Sequence, residues 1–479
     1  MRLLTCLLPA ILATSAATQD RTIPFKKFAQ DFAAKHGISG APESSQFSKA
    51  LETKWVRLTI GGFTVRYPAA TVNGKAAMEK LQEALQGVLD TQLVMAEWMG
   101  GKEKNKALLK AGVTFGKWIK SWKQREVTKS MQSGVGDLLD VLEAPEAVHK
   151  AIKTLQEDLS NGKAYGLTAD KPRSEQIVFC PTRQVFLETA CFLGTLSEEN
   201  KDALWQNNLT TQCQSHIQDP FEMQIIALEY ASPKQVGRDF TSSIDMNSRE
   251  KNGLLQHVVH TTMNAIIRIW FGEEAPRSLM VGLTMNVTIA VCGEDNTRAD
   301  GDERGKSVGA RVAFVPGGRS EGGLFAGANL DSMWRSTKGR DWFVRPLKRG
   351  LKSGAKKTRK KKQKFGAFLI HSDNQSEWKV VHAPFLSAPT GDVPTLPAQF
   401  TGDSKELLRA YTCCFVHWLR DKGMGKTKKA SNAGFAALLH AIQAKPDSLE
   451  TSCQEIYGVG LSRGSLDEDS LERRFLKKL

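Results

Sequence analysis

The run from Gly253 to Phe271 constrains this chain more than any other stretch. Leu255, Val259, Met263, Ile266, Ile267 and Trp270 recur there at three- and four-residue spacing, the period of a helix with an apolar face. The spacing predicts a helix over 253–271. Pro276 follows, and it suits the first turn of a second helix, where its missing N–H would have had no partner. Helices this apolar must lie on a core. With 479 residues, 41% of them hydrophobic, the chain can supply one or two of useful size.

Other elements follow from local pattern. Trp55–Ile60 and Phe63–Tyr67 alternate around Gly61-Gly62, which predicts a β-hairpin. The residues before it, up to about Ser48, read as an amphipathic segment and a polar linker. Helical periodicity dominates from Lys75 to about Asn161, with Ala77, Leu81, Ala84, Leu85, Val88 and Leu89 on one face. Within that region Lys117, Lys120, Lys123, Arg125 and Lys129 surround Trp118 and Trp122. The two Trp are four apart and share a helical face, read as core beneath a solvated basic surface. From Ser174 the texture becomes mixed α/β. Gln176–Phe179 and Met223–Tyr230 read as strands, Thr182–Leu196 as a helix, and Ser404–Leu479 as further helices.

The first eighteen residues have the layout of a secretory signal: Arg2, an apolar stretch from Leu3 to Ala13, then the small residues Thr14-Ser15-Ala16-Ala17. The apolar stretch falls short of the ~20 residues needed to span a bilayer. A secreted or periplasmic protein is the expectation. Beyond Cys6 there are seven cysteines, an odd number, so one or two disulfides would leave at least one thiol over. Net charge is +15, and eleven positive charges fall between Arg345 and Lys364 with no acidic residue among them. Lys348, Arg349, Lys356, Lys357, Arg359, Lys360, Lys361 and Lys362 are the polyanion-binding candidates in that run.

The 253–271 helix carries Gln256-His257-Val258-Val259-His260, and the second begins Pro276-Arg277-Ser278-Leu279-Met280-Val281-Gly282-Leu283. This layout resembles the peptidase MA-like, gluzincin-type metalloproteases. In those enzymes an H-E-x-x-H helix presents two His to one Zn²⁺, with the intervening Glu as general base and a Glu on a later helix as third ligand. Ile177–Leu187 is similar to the family's edge strand and the helix after it. Leu408–Leu419, Ile456–Val459 and Leu471–Phe475 resemble the helices that close such domains. The resemblance implies an α+β fold: a zincin-like domain over 171–479, with a mixed sheet, metallopeptidase-type helices and a basic insertion at 345–364. A hairpin and helical region at 19–170 precedes it, after a leader at 1–18.

Carried over residue by residue, the resemblance leaves a vestigial site at Gln256, His257, His260 and Val281. His260 matches the second zinc-binding His. Gln256 takes the place of the first, and a neutral amide does not match imidazole as a zinc ligand. His257 takes the place of the general base, and Val281, in place of the third ligand, has no donor atom at all. The expectation is a protein without catalytic residues or cofactor, binding a protein, peptide or cell-envelope ligand in the cleft. A second reading keeps zinc: His257 and His260, three apart on one helix, would share it with Glu273, Glu274, Glu294 or Asp295 in a rearranged hydrolase site. A third reading is polyanion binding through the basic run. Cys414 beside His417 reads as core on an apolar helix rather than a nucleophile–base pair.

Overall fold

The computed structural model describes residues 24–71, 74–197, 209, 214–217, 223–229, 253–292, 368–371, 378–381, 385, 403–425, 427–461 and 469–478. The leader, the basic run at 345–364, Glu294 and Asp295 lie outside the described residues.

The fold is mixed α/β and predominantly helical. Two helices, α1 (Phe25–His36) and α2 (Ser44–Lys54), lead into β1 (Trp55–Ile60) and β2 (Phe63–Pro68). The expected polar linker gives way to α2 because Glu43 and Gln46 form a reciprocal capping box at its start, satisfying amides that would otherwise lack partners. The β1–β2 hairpin pairs Ile60 with Phe63 across Gly61-Gly62. Gly61 has φ 59°, where only glycine is unstrained. Gln92 staples this turn to the helix behind it: its Oε1 accepts from the Gly62 amide and its Nε2 donates to Ile60 O, both at 3.0 Å.

Helices α3 (Gly74–Gly100), α4 (Lys106–Ser121) and α5 (Gln124–Ser133) come next, then the two-residue strand β3 (Gly136–Asp137). A short α6 (Leu138–Val141) and α7 (Glu146–Ser160) precede β4 (Glu175–Cys180) and α8 (Arg183–Leu196). Thr182 caps α8 by accepting from the Val185 amide, which sets where the helix begins. Strands β5 (Gln214–Ile217) and β6 (Met223–Ala227) complete one mixed sheet of order β3-β1-β2-β4-β6-β5. β4 pairs in parallel with β2 and β6, and β5 lies antiparallel to β6. β4 is therefore interior, a correction to its expected resemblance to an edge strand; β5 is terminal among the described residues. The sheet also joins residues on both sides of position 170.

Alternation along the strands splits the sheet between two cores. Val178, Cys180 and Ile225 pack with Phe32, Phe47, Phe186 and Phe192 from α1, α2 and α8. Ile177, Phe179 and Ile226 face the larger core, shared with α3 and α9 (Gly253–Phe271). α10 (Arg277–Cys292) and α12 (Lys428–Ala444) pack on α9, α11 (Asp403–Lys422) on α10 and α12, α13 (Leu449–Tyr457) on α12, and α14 (Leu471–Leu476) on α11. A separate ladder pairs β7 (Phe368–His371) with β8 (Trp378–Val381). Each large apolar side chain buried this way contributes roughly 1.5–3 kcal/mol, so these layers fix α9 firmly. No disulfide joins the described cysteines, Cys180, Cys191, Cys292, Cys413, Cys414 and Cys453. Cys414 and His417 are both buried in α11.

Candidate functional site

Helix α9 has the bounds its periodicity predicts, but it is enclosed on more than one face. Val258, Val259, Thr262, Met263 and Ala265 are all fully buried. Gly87 of α3 explains the closest approach. A Cβ there would stand 2.8 Å from a Leu255 methyl and 3.1 Å from a Val258 methyl. The Leu255/Val258 side of α9 therefore rests on α3. At about 100° per residue, Gln256 and His260 turn to roughly the opposite side.

Gln256 and His260 are 1% and 2% exposed, so neither presents its polar group to solvent. His257 is partly exposed. It shares a helical face with Asn264, which is exposed, and with Arg268, eleven residues or about three turns further on. Asn264 is the exposed member of this polar stripe and the one exposed position of α9 between Leu254 and Phe271. Val281 on α10 is partly buried and packs against the main core. Its neighbour Gly282 permits α10 to approach α11, since a Cβ would meet a Val416 methyl at 2.5 Å and Thr412 O at 3.0 Å.

The donor set does not fit a zinc ion held in the gluzincin manner. Three protein ligands are needed for such a site, and of the corresponding positions only His260 offers a good one. The rearranged site fares no better at Glu273 and Glu274. Both are exposed and follow the end of α9 at Phe271. His260 lies eleven residues earlier, about 16 Å along the axis, whereas ligands of one zinc lie within about 4 Å of each other. Among the described residues no group of three His, Cys, Asp or Glu side chains could hold a metal. Glu294, Asp295 and the cationic run from Lys348 to Lys362 lie outside the described residues.

Sequence reasoning missed a polar cluster at the sheet end of the stripe. Arg268 Nη2 donates to Glu175 Oε1, and Gln224 Nε2 donates to the same oxygen at 3.1 Å. Glu175 and Gln224 are 6% and 5% exposed, on β4 and β6. His216, opposite Gln224 in the β5–β6 register, has its pKa lowered to about 4 by burial and then by the Arg268 charge. The cluster ties α9 to β4 and β6. The available signal was Arg268 itself, a charge three turns from His257 on the same face of an apolar helix. Arg173, donating to Ile269 O at 2.6 Å and lying over the Trp270 ring, adds a second tie near the end of α9.

No family model, curated protein or solved structure matches this chain.

Proposed function

We propose that this chain is an exported, catalytically inactive gluzincin-like protein that binds an extended peptide segment. The observation that carries the reading is the terminal strand β5, whose His216 lies within electrostatic reach of Arg268 at one end of the α9 stripe. Among the described residues β5 pairs on one side only, and a terminal strand offers backbone donors and acceptors to an added chain. Arg268 stands at one end of the stripe of His257, Asn264 and Arg268, and its electrostatic reach to His216 of that strand supports contacts from that end to such a ligand. Backbone pairing would supply affinity, and the stripe would supply polar contacts to side chains. The donor set at Gln256, His257 and Val281 supports binding without hydrolysis, because it offers no general base paired with a held metal.

The test uses the purified full chain and a fluorescein-labelled library of unstructured decapeptides, read by anisotropy and by mass spectrometry. The expected result is binding that a chelator leaves unchanged, with peptides recovered intact. An Asn264→Trp variant, which obstructs an exposed position, should weaken binding at least tenfold while leaving the melting temperature unchanged. Cleavage that a chelator abolishes would overturn the reading in favour of the hydrolase. Binding indifferent to Asn264→Trp would remove the ligand from this stripe.

A further inference from the structure

Helix α4 carries four lysines and no acidic residue. At about 100° per residue, Lys106, Lys110, Lys117 and Lys120 fall within about 80° of one another, on the side opposite the buried Leu108, Phe115 and Ile119. Val113 lies inside this lysine field and is 57% exposed, the most exposed large hydrophobic among the described residues. An isolated exposed valine is ordinary; one ringed by lysines along a helix about 21 Å from Lys106 to Lys120 is a patterned surface. Trp118 and Trp122, edge to face at 5.0 Å, lie away from this field and pack against the core. From Lys102 to Lys129 there are nine basic and two acidic residues, and all nine basic side chains are exposed. This span thus holds a net +7 of the chain's +15.

Neutralisation from within is slight. Lys106 pairs with Glu103 and Lys123 with Glu126, at 2.7 and 3.7 Å, but these side chains are all more than two-thirds exposed and such pairs are weak. Asp90 is partly buried, which raises its carboxyl pKa, and the Gln86 hydrogen bond and the Lys120 charge only partly offset this. Lys110 and Lys117 make no ion pair among the described residues.

We propose that the α4 face docks peripherally on the surface of an anionic phospholipid bilayer. Charge complementarity requires an anionic partner. The exposed apolar side chain at the centre selects a bilayer over a soluble polyelectrolyte: headgroup phosphates engage the lysines while Val113 and the lysine stems meet the acyl boundary. Contact is peripheral because the apolar face of α4 is already committed to the protein core. The helix keeps its place in the fold and presents only its outer face. This surface is separate from the α9 stripe and does not depend on the function proposed for it.

The experiment is co-sedimentation of the full chain with vesicles of phosphatidylcholine containing 30% phosphatidylglycerol, across a salt series. Binding should fall as salt rises, since the lysines lie within a Debye length of the surface. Each lysine near an anionic surface changes affinity by about fivefold. The Lys110→Gln/Lys117→Gln double variant should therefore bind on the order of 25-fold more weakly, with an unchanged melt because both positions are exposed. Val113→Trp should tighten vesicle binding several-fold and leave elution from a heparin column unmoved. Failure to sediment with anionic vesicles would overturn the proposal. So would vesicle binding that the double variant does not weaken, which would assign the membrane contact to another basic segment. Lysine-dependent retention on heparin without vesicle binding would make the surface a polyelectrolyte site and refute the bilayer.

Discussion

Replacing Gly282 by Ala sets two known effects against each other. Helix propensity favours alanine by about 1 kcal/mol in a helix interior, so on that ground alone the variant should be more stable. The packing says otherwise. The new Cβ would lie 2.5 Å from Val416 Cγ2, 3.0 Å from Thr412 O and 3.1 Å from Thr412 Cγ2. Thr412 and Val416 are 0% and 1% exposed, and both are β-branched, hence stiff at χ1 on a helix. Relief requires α10 and α11 to separate by roughly an ångström, since ordinary carbon contacts begin near 3.5 Å. Separation also strains Asn286, whose Nδ2 donates to Gly282 O at 2.7 Å and across to Cys413 O at 3.0 Å. Overpacking of this kind costs about 1–3 kcal/mol, and a weakened buried hydrogen bond adds about 1. The net expectation is destabilisation by about 1–3 kcal/mol, read as a lower urea midpoint in far-UV circular dichroism. In a double-mutant cycle Val416→Ala removes the nearest methyl, and the pair should couple by about 1 kcal/mol or more. A stabilised Gly282→Ala, or strict additivity with Val416→Ala, would refute the close-packing account.

Three further outcomes follow from the geometry. His36 and His216 both have pKa values lowered to about 4, chiefly by burial, with Lys54 and Lys35 acting on His36 and Arg268 on His216. The unfolded chain takes up these protons first, so stability is intact above about pH 6.5 and falls as pH drops toward 4. The shifts cap the effect at about 3 kcal/mol per residue; both side chains are partly exposed, so about 1–2 is expected. The urea midpoint should drop between pH 7 and pH 5, and a His36→Asn/His216→Asn variant should flatten that drop; an equal drop in the variant would contradict the assignment. Arg268→Ala strips the buried Glu175 of its cation and should cost about 3–5 kcal/mol at neutral pH, with much of the loss recovered by adding Glu175→Gln. No recovery would mean that the pair does not act as a unit. Burial pushes the Cys414 thiol well above its ordinary range, so Cys414 should stay unreactive toward a thiol-labelling reagent at pH 8 until urea unfolds the chain, and prompt labelling of that residue under native conditions would place it outside the core.

Local chemistry in the sequence carried the elements well and their assembly poorly. The Gly61-Gly62 hairpin, the helix ending at Leu196 and the period of α9 each depend on a few adjacent residues, and the structure has them where the pattern put them. The union of β2 with β4 depends on parallel pairing across more than a hundred residues, as of Val65 with Ile177, and no local signal specifies that partner. The interior place of β4 was hidden for the same reason. At the site, the positions of Gln256, His257, His260 and Val281 were legible as a spacing. Their exposure was not. Gln256 and His260 are buried on the side of α9 turned away from α3, and Arg268 is held by the sheet; both are set by tertiary packing, which the spacing does not carry. The Glu175–Gln224–Arg268 cluster joins residues from two strands and a helix far apart in the chain, so only the fold brings it together.

The central claim is that the motif helix holds no metal. It is tested most directly by elemental analysis of the mature protein purified without chelator, beside a His260→Gln control. The account predicts far less than one equivalent of zinc or any other transition metal in both. Near-stoichiometric metal in the native protein that disappears in the control would contradict it.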